Sequence, residues 1–439
     1  MQDTEKIQPV KDLLIIGNGF DLEAKLKTSY ADFLEIKCGK LFDEDKIDDQ
    51  EYAKLNVLKN LSKEISKRLK NYDYGQAVST INPYITAQSL DELMTKINDK
   101  KMSVWEILLI FKSNSTENWY DVESLIENIV NTSHSFIADV TNFYNYKIGK
   151  VNELGHSSDE AFLIFSYWAS STGKIGTKIT KLSMLYDSEI LEWLNEQLTL
   201  FQERFKEYMR ILVPQLDENS YETVTADYAE QAFKIFANVS GEFEGTEINL
   251  LNFNYTQPNL YRHLVSNAIA KASPQKIYSK NVHGKISDKD NPIIFGIDNA
   301  NIDPNKTEVN FTKAFRTLSE SSAKRFGEID NSQVKNIVFF GHSLGRADYG
   351  YFYKVFNDVD LLNSRDVNLI FYYNDSYIKD DANIELWKKK KEKVVYTQKL
   401  AILRLLESYA EWVRRDRLRA KTVLSELQSQ IKIVKYNSH

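Results

Sequence analysis

Four consecutive aliphatic residues, Leu13-Leu14-Ile15-Ile16, run directly into Gly17-Asn18-Gly19. A short apolar run without polar alternation, ended by a glycine turn, reads as a strand buried on both faces. Such strands belong to parallel sheets sandwiched by helices. The chain therefore has to supply further strands for this one to pair with, and helices to cover both faces of the sheet. Glycine and proline are scarce, at 16 and 7 of 439 residues. That scarcity argues for long helices and against an all-β sandwich, a collagen-like chain or a Pro/Gly-rich linker protein.

The remaining strands lie far along the chain. Ile248–Phe253, Ile277–Val282, Ile293–Ile297, Asn336–Phe340, Asn368–Tyr373 and Val394–Thr397 are predicted strands, with helices near 257–272 and 347–360 between them. Strand–helix alternation implies parallel strands joined by right-handed crossovers. Ser29 and Asp32 have capping-box spacing and open a helix. From about 40 to 240 the apolar spacing is helical, as in Val122, Leu125, Ile126, Ile129 and again in Ile190, Leu194, Leu198, Phe201, Phe205. The expected architecture is α/β, a Rossmann-like parallel sheet with helices on both faces and a large helical insertion. The core takes residues 10–40 and 245–398, the insertion 41–244, and a C-terminal helical tail 399–439. In the tail, Leu400, Leu403, Leu406, Tyr409, Trp412 and Val413 are read as one helical face.

Composition narrows the function classes. The single cysteine, Cys38, rules out a disulfide framework and any cysteine-based metal cage, and no metal is expected. The net charge of −6 does not favour nucleic acid as a whole-molecule partner. Residues 400–435 nevertheless hold 8 Lys/Arg against 4 Asp/Glu, a local +4 that leaves nucleic acid open. No segment approaches 18 consecutive apolar residues and the N-terminus lacks signal-peptide form, so no membrane partner is expected and the cytoplasm is the default location.

In parallel α/β sheets ligands bind at the carboxyl ends of the strands, and four strand ends carry unusual polar sequence. The first is Gly17-Asn18-Gly19-Phe20-Asp21, where glycines and a helix start suit a phosphate, or simply a tight turn. Position 22 is Leu where the dinucleotide fingerprint has its third glycine. The second is Asn252-Phe253-Asn254, whose asparagines either contact a ligand or tie down the next loop. The third is His283-Gly284, a general base near neutral pH or a histidine bonded within a loop. The fourth is Gly341-His342-Ser343-Leu344-Gly345, which matches the serine-hydrolase nucleophile elbow. Only His439 follows Ser343, however, so a second phosphate- or ribose-contacting turn is the alternative. Asp121 and Asp348 read as helix caps, Glu123 as a solvated first-turn acid, and Asp298 as a carboxylate at a strand end.

Together these pieces resemble the AbiH family of bacteriophage abortive-infection proteins. The resemblance rests on residues 14–21, Thr28-Ser29-Tyr30, Trp119-Tyr120-Asp121-Val122-Glu123, residues 251–256, His283-Gly284, and residues 340–345 with Asp348. More distantly, the order Gly-x-Gly, Asn, His-Gly, Gly-x-Ser-Leu is similar to the sirtuin-like (SIR2) NAD-binding fold, with Thr256 where that family has Asp. One cysteine excludes the zinc module of sirtuin deacylases. The resemblance implies a phage-defence effector that hydrolyses NAD, its substrate, to nicotinamide and ADP-ribose. Asn254 and His283 would be catalytic. Gly17, Asn18, Gly19, Phe20, Asp21, Asn252, Gly341, His342, Ser343 and Asp348 would contact the nucleotide. The family alternative is a protein that binds a nucleotide and acts on nucleic acid or a partner without cleaving NAD. A phage-derived trigger or partner protein and a homo-oligomer both remain open.

Overall fold

A computed structural model describes residues 11–39, 102–112, 122–131, 187–212, 226–243, 247–256, 276–286, 293–297, 302–319, 329–376, 378, 383–414 and 425–437, with single positions 65, 138, 160, 163, 164 and 167. Six strands form one sheet: β1 Lys11–Ile16, β2 Glu247–Asn252, β3 Lys276–Asn281, β4 Val334–Phe340, β5 Asn368–Tyr373 and β6 Ile431–Lys435. Their order is β3-β2-β1-β4-β5-β6, and every pairing is parallel. The helices are α1 Asn18–Glu23, α2 Tyr30–Gly39, α3 Val104–Lys112, α4 Val122–Asn131, α5 Asp187–Leu212, α6 Ala226–Val239, α7 Lys313–Ser319, α8 Tyr349–Asp358 and α9 Ile384–Arg414. This is the expected Rossmann-like parallel α/β arrangement.

Because side chains alternate along a strand, the aliphatic run of β1 feeds both faces. Leu13 and Ile15 join Ile337, Phe339, Leu369 and Phe371 in a core covered by Phe352, Val355 and Phe356 of α8 and by Ile402, Leu405 and Leu406 of α9. Leu14 and Ile16 join Ile248, Val338, Phe340 and Ile370 in a second core covered by Phe20 of α1 and by Tyr228, Ala232, Ile235 and Phe236 of α6. Each fully buried aliphatic or aromatic side chain contributes about 1.5–3 kcal/mol relative to exposure.

The chain divides into two compact units, residues 1–28, 209–294 and 317–439 on one side and 29–208 and 295–316 on the other. The first holds the whole sheet. In the second, all regular structure between 41 and 208 is helical among the described residues. Its core is aromatic: Phe33, Phe201, Phe205 and Phe295 have ring centroids 5.2–5.9 Å apart. Buried Glu106 meets Arg204 at 2.9 Å, and Glu123 pairs with Lys313 at 2.7 Å rather than being solvated. Ser29 and Asp32 cap α2 reciprocally, as their spacing predicts.

Four expectations are corrected. Ile293–Ile297 forms no strand; only Ile297 makes an isolated bridge, to Thr312, and the buried Phe295 packs among aromatic rings. Val394–Thr397 lies inside α9, where a continuous 31-residue helix overrides a local β-branched run. The tail is not wholly helical: Ile431–Lys435 pairs with β5 as the sixth strand. The tail helix is also turned relative to the expected face. Ile402, Leu405, Leu406, Tyr409 and Ala410 are buried, whereas Leu403, Trp412 and Val413 are exposed. The helix expected at 257–272, Trp119–Asp121 and Asp298 lie outside the described residues.

Candidate functional site

All four polar corners fall at the carboxyl edge of the sheet, within the first unit. The strand order reverses between β1 and β4, the topological switch point where Rossmann-like sheets bind ligands.

The two glycine turns at that point are interlocked. The Gly17 N–H donates to the Phe340 carbonyl at 3.1 Å and the Gly19 N–H to the Gly341 carbonyl at 2.8 Å. A Cβ on Gly19 would lie 2.7 Å from the Gly341 Cα, and one on Gly341, whose φ is +66°, would lie 2.3 Å from the Phe20 nitrogen. The Phe20 N–H turns back to the Gly17 carbonyl, and the Leu344 N–H donates to His342 Nδ1. These four amides are thus taken by protein acceptors. Here the glycines answer to the close approach of two backbones.

Asp21 is turned into the core. Tyr228 donates to its Oδ1 at 2.8 Å and Thr256 to its Oδ2 at 2.6 Å. Burial pushes its carboxyl up to about 6, against the lowering effect of those two bonds. Asn18, on the exposed side of the turn, accepts from the Thr28 hydroxyl at 2.6 Å.

At the end of β2 the two asparagines differ. Asn252 donates to the Thr256 carbonyl at 2.7 Å and accepts the Asn254 N–H at 2.9 Å, so it ties down its loop. Asn281, at the end of β3, clamps the same loop by donating to the carbonyls of Asn254 and Thr256. Asn254, 4% exposed, has neither side-chain Nδ2 nor Oδ1 partnered among the described residues. Asn252 and Asn281 are registered partners, and Asn254 and His283 each follow two residues later in the chain, just past the ends of adjacent strands.

Buried His283, His342 and Asp348 form one cluster. Asp348 Oδ1 lies 2.9 Å from His283 Nε2, and its Oδ2 lies 3.3 Å from His342 Nε2. Asp348 occupies the N-cap position of α8, but its side chain makes no capping bond. This corrects the expected cap: two imidazoles offer charge-assisted partners that compete with the helix amides. Phe253 meets both histidine rings edge-on, at 5.3 and 4.6 Å, with Tyr351 5.8 Å from His283 and Phe352 5.1 Å from His342.

Ser343 is exposed, and its hydroxyl makes no hydrogen bond among the described residues. The left-handed residues of its turn are Gly341, φ +66°, and Leu344, φ +55°, not the serine. A nucleophile elbow needs the strained position at the serine with a base beside it, and neither is found.

The sequence reading missed Asn281, Phe253 and the Tyr228–Thr256 pair. Asn281 carries the same signal as Asn252, an asparagine closing a buried strand. Tyr228 carries none, because its α6 helix reaches Asp21 from 207 residues away. No group of three or more metal-ligating side chains is placed to hold an ion among the described residues.

The strand order and a polar carboxyl edge at the switch point define a Rossmann-like parallel α/β protein. Residues 13–373 match the family model described as bacteriophage abortive infection AbiH. The chain belongs to that family and is a phage abortive-infection defence protein. No curated protein and no solved structure matches it. No described helix is long and apolar enough to cross a membrane.

Proposed function

We propose that this defence protein binds NAD at the carboxyl edge of the sheet and hydrolyses the bond between nicotinamide and ribose. The observation that supports this reading is the buried, unpartnered carboxamide of Asn254, two residues past the end of β2 as His283 is two residues past the end of the adjacent β3. An unsatisfied buried amide costs about 1–3 kcal/mol. A cost of that kind is understandable where a ligand hydroxyl or a reacting water supplies the missing partners. In the reaction, a water oxygen bonds to the ribose C1′ as the C1′–nitrogen bond breaks. Nicotinamide leaves with the electron pair, and the water proton passes to His283. Asn254 orients the water or a ribose hydroxyl. General-base help of this type is worth about 10²–10⁴ in rate.

The test is to incubate the purified full chain with NAD and follow free nicotinamide. Release by the native protein and its loss in His283→Ala and Asn254→Ala is the expected result. Intact NAD with native protein, or undiminished release by His283→Ala, overturns the assignment. A folded protein that leaves NAD intact but degrades RNA or DNA points instead to the nucleic-acid alternative.

A further inference from the structure

Asp348 touches two histidines, and the one outside the proposed proton transfer is the more informative. His342 Nδ1 accepts the Leu344 N–H at 2.9 Å. In the neutral ring its proton must therefore sit on Nε2, which faces Asp348 Oδ2 at 3.3 Å. Leu344 is itself left-handed, φ +55°, a conformation leucine seldom adopts. The turn thus sustains local strain and fixes the tautomer of His342. A carboxylate is acceptor-only, so its Oδ1 calls for an N–H from His283 Nε2 at 2.9 Å. The lone pair of His283 is left on Nδ1.

We propose that Asp348 is a positioning residue: it holds His283 in the Nε2–H tautomer with Nδ1 as the basic atom, while His342 and the Leu344 turn hold Asp348. The aromatic rings of Phe253, Tyr351 and Phe352 around the cluster exclude water and strengthen these bonds. The catalytic consequence rests on the NAD-cleaving reading; the tautomer assignment does not. In that reaction the water proton goes to His283 Nδ1, and the resulting imidazolium is stabilised by Asp348 across the ring.

Asp348→Asn tests this directly. The amide offers one acceptor and one donor. His342, kept a donor by Leu344, takes the oxygen. The NH₂ then faces His283 Nε2, which must give up its proton to Nδ1. Two-bond ¹H–¹⁵N spectra of the ¹⁵N-histidine-labelled full chain, with the His283 signal assigned by its loss in His283→Gln, read both tautomers. The expected native spectrum shows Nε2–H at both residues, and Asp348→Asn reverses His283 alone. The same variant should lower kcat for NAD by about 10³–10⁴ with KM within about threefold, and Asp348→Glu should restore part of the loss. Nδ1–H at His283 in the native protein overturns the proposal, and so does an unchanged tautomer in Asp348→Asn. If that variant does not fold, the native spectrum alone decides. A reversed tautomer alongside a native protein inert toward NAD removes the hydrolase reading and leaves the positioning role standing.

Discussion

A Cβ on Gly17 would lie 2.7 Å from the Cα of His342, so two turns 325 positions apart in sequence meet backbone against backbone. Neither side can yield as a flexible side chain would. Gly17→Ala should therefore destabilise the protein by about 1–3 kcal/mol, the usual cost of overpacking. Gly341→Ala should cost more, because it adds a left-handed φ to a 2.3 Å contact with the Phe20 nitrogen. Gly241→Ala, with nothing within 4 Å of its Cβ, is the control and should stay within about 0.5 kcal/mol. Urea unfolding of the three variants checks the order; equal effects would contradict the interlocking of the turns.

The asparagines at the end of β2 should separate stability from activity. Asn252 makes two internal bonds, so Asn252→Ala should lose about 1–3 kcal/mol. Asn254→Ala deletes an amide with no protein partner among the described residues, so it should be neutral or slightly stabilising while nicotinamide release is lost. Thermal melts beside NAD assays measure both. Strong destabilisation in Asn254→Ala would mean that its amide is structural.

Asp21 gives the fold a pH dependence of definite sign. Its carboxyl titrates near 6 when folded and near 3.8 as a free group. Between those values the folded state holds the proton more tightly than the unfolded chain does, so stability falls as pH rises through this window. The gap between those two values corresponds to about 3 kcal/mol, and Asp21 is too deeply buried for solvent to screen it. Native stability minus that of Asp21→Asn, taken with its sign, should fall by about that amount from pH 4 to pH 7. Denaturant curves across the range that show a level or growing difference would refute this.

The tail helix offers a paired test of its orientation. Leu406→Ala empties a fully buried site and should cost about 2–5 kcal/mol. Leu403→Ala acts on a residue 45% exposed and should stay within about 0.5 kcal/mol. Similar losses from both would restore the face read from periodicity.

That helix shows where sequence reading stops. Leu403 and Leu406 are three apart, so both fit one apolar stripe. Ile402 and Leu405 fit a neighbouring stripe equally well, and only the sheet decides which is buried. The strands β1, β4 and β5 were legible because the runs Leu13–Ile16, Ile337–Phe340 and Leu369–Tyr373 are apolar without interruption, and β2 because Asn249 alone interrupts Ile248–Leu251. β6 was not: Ile431-Lys432-Ile433-Val434-Lys435 alternates as an edge strand does and follows a basic helical stretch. The polar residues at the strand ends were visible because asparagine, histidine and glycine are unusual there. Their division of labour was hidden, since nothing local distinguishes Asn252, bonded to its own loop, from Asn254, or tells that Asp348 turns from its helix toward two histidines.

The central position of β1 has a consequence during synthesis. Its neighbours are β2, beginning at Glu247, and β4, beginning at Val334. A ribosome adding about 5–20 residues per second needs roughly 10–50 s to travel from Lys11 to Glu247. Throughout that time Leu13–Ile16 is an apolar segment with both edges open, an aggregation hazard that a chaperone or the emerging helices must cover. The sheet cannot begin until Glu247–Asn252 has been made, because β1 has no strand partner before it.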